Sequence, residues 1–178
     1  MKTLELGKYR RARVWLGELP DAVYSASPSF AKFGEVDRGE AKIAAVELLI
    51  PTGGRTIYGL LGGQFKPAAG YGMSIEIAAS TQSQRAFSAA LTGPADRAYV
   101  GLPAEYTDAV NAGIKLAKEP LSKLGNGTLS INCAAHSLSG SSSLIFRHLA
   151  LILIKLMGVA GTSPTDGDLQ KLFPDVYN

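Results

Sequence analysis

The sequence predicts an α+β fold: a mostly antiparallel sheet with two helices on one face, extended at the N-terminus by a further β-rich segment. Three observations lead there. The first half alternates short apolar runs with Gly- and Pro-rich turns, as strands do. The second half holds one stretch of helical spacing, with Tyr106, Val110, Gly113, Ile114 and Ala117 on one stripe. Further on, Leu144, Ile145, Phe146, Leu149, Leu151, Ile152, Leu153, Ile154 and Leu156 surround a helix on nearly every side, which requires burial. Arg147, His148 and Lys155 interrupt that run, and a membrane span needs about 20 largely apolar residues, so this helix belongs to a core.

Taken in order, residues 8–19 read as a strand in which Tyr9, Val14, Trp15 and Leu16 favour a pleated surface. Its basic run, Lys8 to Arg13, fits the solvated face of an edge strand, where positive charge discourages edge-to-edge pairing. The alternative is contact with phosphates, through Arg10, Arg11 and Arg13 together with Arg55. Residues 20–41 are irregular, with Phe30 and Phe33 as anchors to the core. Residues 42–50 (KIAAVELLI) read as a strand or a short helix. Pro51 to Gly54 turn the chain, and Arg55 to Leu61 return as a second strand. Gly62, Gly63, Pro67 and Gly70 predict another loop. In residues 71–79, Met73, Ile75 and Ile77 alternate with Ser74 and Glu76, which marks a half-buried strand. Phe87 to Leu91 predict one more strand, followed by a turn and the short run Ala98 to Val100. Pro103 then stands at a first helical position, with Glu105 in the first turn, and Pro120 ends that helix. Leu129, Ile131 and Cys133 alternate with Ser130 and Asn132 in a strand over 128–134. A polar loop holding His136 leads into the buried helix, which Ser139 or Ser141 is expected to cap. In the tail, Leu169, Leu172 and Phe173 form a docking turn.

Composition narrows the function classes. A chain of 178 residues, 46% hydrophobic, suits one domain with a sizeable core. The single cysteine, Cys133, permits no internal disulfide and no cysteine cluster for a metal. No metal and no cofactor is expected. The start MKTLELGKYRR is polar and basic, so a cytoplasmic protein with no membrane partner is expected. Asn126-Gly127-Thr128 reads as an Asn-Gly turn rather than a glycosylation site. The net charge of +3 is compatible with a nucleic-acid partner, although Lys and Arg are spread along the chain.

The candidate site is His136 with Ser137, Ser139, Gly140, Ser141 and Ser142, and Arg147 one turn inside the helix. A nucleophilic serine needs a base within reach and a third group to orient it. The chain has no G-x-S-x-G elbow, and Glu105 and Asp108 stand in no fixed relation to His136, which argues against acyl transfer. A helix N-terminus preceded by Ser and Gly suits an anion. LSGSSSL (138–144) distantly resembles the G-L-x-S-S-A phosphate loop of the galactokinase–homoserine kinase superfamily, without that group's other motifs. A small nucleotide- or phosphate-binding protein is therefore one alternative, and a protein–protein module or homodimer formed through the N-terminal segment is another.

GLPAEYTDAVNAGI (101–114) resembles the helix of domain IV of elongation factor G, whose pattern is roughly G-x-I-P-x-E-Y-I-P-A-V-x-x-G-I. Gly101, Pro103, Glu105, Tyr106, Ala109, Val110, Gly113 and Ile114 fall on it. Downstream, His136, Ser141, Ser142, Phe146 and Arg147 follow that family's strand, histidine loop and S-S-E-x-A-F-K helix start. Upstream, Tyr71-Gly72-Met73 is similar to its Q-Y-G-H-V strand. A look-alike of the family's glycine-rich S-G-G-R-G-Q-Y-G tip stands earlier, at Thr52-Gly53-Gly54-Arg55-Thr56-Ile57-Tyr58-Gly59, but spacing to Gly101 favours the Tyr71 alignment. The resemblance runs from Gly70 to Met157. It implies a ribosomal protein S5 domain 2-like fold with a left-handed β-α-β crossover, and a domain whose tip loops, the His136 loop among them, contact RNA on the ribosome. It divides the chain into an N-terminal extension (1–65), a domain IV-like core (66–158) and a tail (159–178). The departures are clear. No G-x-x-x-x-G-K-[ST] is present, so there is no GTPase; Ser143 replaces the family's glutamate; and Gly140 lengthens the loop. The expectation is a stand-alone, ribosome- or RNA-associated module without catalytic machinery.

Overall fold

KIAAVELLI is a strand. In the computed structural model, which describes residues 1–7, 9–25, 40–80, 85–93 and 96–173, β3 (Lys42–Thr52) pairs along its length with β4 (Arg55–Pro67). On its other side it pairs with β2 (Arg11–Leu16). Ala44 to Ile50 are buried at every position, odd and even alike. A strand reads as a continuous apolar run when both faces of its sheet are covered, and that is why its periodicity was ambiguous between strand and helix.

The sheet runs β1-β2-β3-β4-β7-β5, where β1 is Lys2–Glu5, β5 Met73–Ile77 and β7 Gly127–Ser137. A short β6 (Ala98–Val100) pairs with the last residues of β7, on the edge whose first half β5 occupies. Among the described residues, every strand pairing is antiparallel except β5 with β7. The fold is α+β, as predicted. Helices α1 (Thr107–Leu116) and α3 (Ser143–Val159) share one face of the sheet, joined by the short α2 (Lys118–Leu124) and α4 (Asp166–Gln170). α3 is the central helix of that layer. Ile145, Phe146, Leu149, Ala150, Ile152, Leu153, Ile154, Leu156 and Met157 are buried, while Leu144, at its first turn, is half exposed. The docking turn in the tail is α4: Leu169 is fully buried, with Leu172 and Phe173 against the same core. Among the described residues, no helix is long and apolar enough to cross a membrane.

The second face is covered too, by chain rather than by helices. Trp15, Ala45, Leu49, Tyr58, Leu60, Cys133 and Ala135, with Ala98 and Val100 of β6, form one cluster with Ala22, Phe87 and Leu91.

Several expectations change. The N-terminal residues, expected as a β-rich extension packed on the core, share one sheet with it: β1 to β4 continue into β7, and residue 65 falls inside β4. The arginine-bearing strand β2 is internal; β1, which the short KTLE segment did not signal, is the edge. Gly62 and Gly63 lie within β4 rather than in a loop. A Cβ on Gly62 would come within 2.7 Å of Ala45 Cβ, and one on Gly63 within 2.2 Å of Ser130 O, at the bulge where the β4–β7 register shifts. These glycines mark tight packing between neighbouring strands, not a turn. Phe87 to Leu91 form no strand; Ala86 makes an isolated bridge to Tyr99 and the rest turns. α1 ends at Leu116, where Ala117 (φ −81°, ψ 43°) leaves helical geometry, and Pro120 sits in the first turn of α2, where its missing N–H costs nothing. The anchors Phe30 and Phe33 lie outside the described residues.

Candidate functional site

His136 belongs to β7 and not to the loop after it. It pairs with Tyr99 of β6, the two ring centroids 6.2 Å apart, and its Nδ1 lies 3.1 Å from Gly101 O. That places the histidine at the end of the sheet, half buried.

The serines beyond it hold the loop down. Ser137 is buried, and its Oγ accepts from Gly140 N–H at 2.8 Å. Ser141 Oγ accepts from Ser137 N–H at 2.9 Å and donates to Tyr58 O at 2.8 Å. Tyr58 N–H in turn donates to Gly140 O at 3.0 Å. The loop thus prolongs the β4–β7 ladder past its last residue pair. Gly140 is required there, since a Cβ would stand 2.2 Å from Thr56 O. Ser139 Oγ donates to Asp96 Oδ1 at 3.0 Å on the surface. Tyr106 OH donates to Ser141 O at 3.4 Å, and its ring stacks on Phe146 at 4.9 Å, which ties the loop to the start of both main helices.

The expected cap is corrected by these same contacts. Ser139 and Ser141 do not cap α3, since their hydroxyls are engaged elsewhere; the N-cap residue is Ser142, which makes no side-chain cap bond. Nor do the serines form a nucleophile–base pair with His136, whose Nδ1 faces a carbonyl. What the end of the sheet offers outward is Leu138 (82% exposed), Ser139, Ser142, Leu144 and Arg147. Among the described residues, no three His, Cys, Asp or Glu side chains gather in a way that could hold a metal.

Of the four arginines, three make contacts within the chain. Arg10 donates to Leu6 O at 2.9 Å, Arg11 to Leu91 O at 3.5 Å, and Arg13 to Ala89 O and, at 3.4 Å, to Glu47 Oε2. Arg55 is exposed in the β3–β4 turn. Tyr58, three residues on, is bonded to the 137–141 loop, so the Thr52–Arg55 turn and that loop stand at the same end of the sheet. Exposed Arg97 sits next to β6 at this end as well. Tyr71 does not. β5 begins opposite Gly127, nine residues and about 30 Å along β7 from His136. Tyr71 is fully exposed, and its loop is pinned by Asn126, which donates to Gly70 O at 2.6 Å and accepts from Gly72 N–H at 3.1 Å. Asn126 bends the chain and Gly127 already opens β7, so the Asn-Gly turn read from the sequence is a bend leading directly into the strand.

One residue escaped the sequence reasoning. Glu47, in β3, is wholly buried on the second face. Its Oε1 accepts from Tyr58 OH at 2.9 Å and from Leu91 N–H at 2.8 Å, and its Oε2 faces Arg13. Burial pushes the Glu47 carboxyl above its usual range, against the opposing pull of those donors; burial and then the Glu47 charge raise the Tyr58 phenol. The available signal was one glutamate in an otherwise apolar strand.

No protein-family model and no curated protein matches the chain. A crystal structure of a protein from Thermus thermophilus is similar over 68% of this chain at 22% identity, with a TM-score of 0.46. The match covers 16% of the length of that protein.

Proposed function

We propose that the chain is an elongation factor G domain IV-like module that binds RNA or the ribosome through the end of the sheet bearing His136. One observation carries this reading. The glycine-rich turn Thr52–Arg55 and the His136–Ser142 loop are neighbours, bonded through Tyr58 to Gly140 and Ser141. Both correspond to tip motifs in the family resemblance, and the two are far apart in sequence. We take the Thr52–Gly59 copy, which stands beside the His136 loop, as the counterpart of the family's tip in place of the Tyr71 alignment favoured by spacing. The parallel pairing of β5 with β7, with α1 on the crossover between them, supports the same family assignment. The rigid serine-wired loop suits contact rather than chemistry. Arg55, Arg97 and Arg147 are the exposed cations for phosphates at this end. A cytoplasmic setting belongs to the same proposal.

Sucrose-gradient sedimentation of a lysate at low salt tests it, with RNA recovered by pull-down of the tagged chain. Co-sedimentation with ribosomal subunits, reduced in Arg55→Ala, is expected. Absence from every ribosomal fraction with no RNA recovered would overturn the proposal. Stabilisation by ATP, GTP or phosphate that disappears in Ser142→Ala would replace it with a nucleotide- or phosphate-binding role at the start of α3.

A further inference from the structure

Residues 85–93 cross the second face of the sheet as a strap. At its start the strap lies beside β6: Arg85 O accepts from Val100 N–H, and Phe87 N–H donates to Ala98 O, each at 2.8 Å. Along its middle the bonding is local, with Ala90 N–H to Phe87 O. At its far end it is tied down onto the sheet. Leu91 N–H donates to the buried Glu47 carboxylate, while Arg13 and Arg11 donate to the carbonyls of Ala89 and Leu91. Phe87 and Leu91, each 6% exposed, add apolar contact with the layer of Leu49, Tyr58 and Leu60. The Arg85 side chain also donates to Asp21 Oδ1 and to Val23 O, each at 3.0 Å. A segment held to the sheet through side chains and one buried carboxylate, rather than by ladder bonds to β3 or β4, has the makings of a unit that opens on its own.

We propose that residues 85–93 are a latched strap: the Glu47–Leu91 contact seats it, and release of that contact opens the second face and loosens β6, the strand beside His136, while the rest of the sheet stays folded. The proposal is independent of what the His136 end binds. Glu47 is suited to the task because its carboxylate is shared. Tyr58 OH and Arg13 hold it in place from the sheet, so it remains a fixed acceptor to which the strap can return. Satisfied, the cluster specifies one position for Leu91; with the strap lifted, the carboxylate is hydrated and water takes the place of Leu91 N–H.

The charges around the latch give it a pH dependence. Arg13 and Arg11 face Glu47 from β2 and Tyr58 from β4, and the strap contributes a backbone N–H; Asp96 acts on Tyr58 from beyond it. Burial outweighs the donors and raises the carboxyl, so the seated strap favours the protonated acid. The closure that this group contributes is complete below the ordinary glutamate value of 4.5 and is lost as pH rises through the raised folded value.

Native-state amide exchange on the full chain, followed residue by residue in increasing denaturant, tests the proposal. In the wild type, Phe87, Leu91 and Val100 are expected to exchange through one opening with a shallow denaturant slope, well before the β3–β4 amides. Glu47→Ala removes the acceptor and is expected to raise that opening constant about ten-fold or more. Glu47→Gln keeps an acceptor that cannot ionise; it is expected to leave the strap seated and to abolish the rise in opening as pH climbs above the ordinary glutamate value. Strap amides that share the opening free energy and denaturant slope of β3–β4 would overturn the proposal. So would an unchanged pH dependence in Glu47→Gln, and so would a Glu47→Ala protein with wild-type strap exchange. If Glu47→Ala does not fold, the wild type and the Gln variant still decide.

Discussion

Ser141 and Ser139 stand two residues apart in one loop, yet their environments predict opposite outcomes. Ser141 Oγ is the acceptor for the N–H of buried Ser137 and the donor to Tyr58 O. Ser141→Ala leaves both backbone groups without that partner, at a cost of about 1–3 kcal/mol. Gly140→Ala attacks the same join from the other side by driving a methyl group onto Thr56 O, and overpacking of this kind also costs about 1–3 kcal/mol. Ser139→Ala removes a hydrogen bond to Asp96 that water can replace, so its effect should stay within about 0.5 kcal/mol. Chemical denaturation of the three variants checks the order, and a Ser139→Ala as damaging as Ser141→Ala would show that the loop is held differently. From the sequence, these serines read alike, as a polar run before a helix. Which hydroxyl is structural depends on Tyr58, far earlier in the chain, and a local pattern holds no information about that neighbour.

At the scale of elements, the two main helices meet in one of the tightest contacts. Gly113 of α1 lies against Arg147 of α3 so tightly that a Cβ would stand 2.2 Å from Arg147 O and 2.8 Å from Ala150 Cβ. Both neighbours are parts of a packed helix and cannot swing away. Gly113→Ala should therefore destabilise by about 1–3 kcal/mol although alanine is the better helix former by about 1 kcal/mol. A rise in the midpoint of thermal unfolding would show that α1 can lift away from α3. Helical spacing placed Gly113 on the buried stripe, so this face of α1 was legible. So were α3, whose apolar surround admits only burial, and β5, whose alternation reflects one covered face. Elements were misjudged where a neighbour decided the outcome. Gly62 and Gly63 looked like a loop because the strand packed across them is distant in sequence. Phe87 to Leu91 looked like a strand because apolar residues that cover a sheet resemble those that build one. Pro120 looked like a stop because the break lies just before it, at Ala117.

For the whole molecule, the join between strands distant in sequence decides which motifs stand side by side. The two glycine–tyrosine stretches, Thr52–Gly59 and Gly70–Met73, were equally legible as motifs, and counting residues to Gly101 preferred the second. Antiparallel pairing of β4 with β7 brings the first beside the His136 loop, and parallel pairing of β5 sends the second to the opposite end. A surface assembled this way makes a quantitative demand if its partner is RNA. Phosphate contacts release counterions, so the logarithm of affinity falls with the logarithm of salt concentration by about 0.7 per single-strand phosphate neutralised and about 0.9 per duplex phosphate. The exposed cations Arg55 and Arg147 belong to the proposed surface, whereas Arg13 is engaged with Glu47 and Ala89 and anchors the strap. Arg55→Ala should thus weaken RNA binding and lower the salt slope by a little under one, with folding stability unchanged. Arg13→Ala should do the reverse, lowering stability while leaving the slope as it was. Filter binding across a range of salt concentrations, paired with denaturation of each variant, separates the two. A salt slope that falls in Arg13→Ala and not in Arg55→Ala would move the binding surface from the His136 end to the strap-covered face.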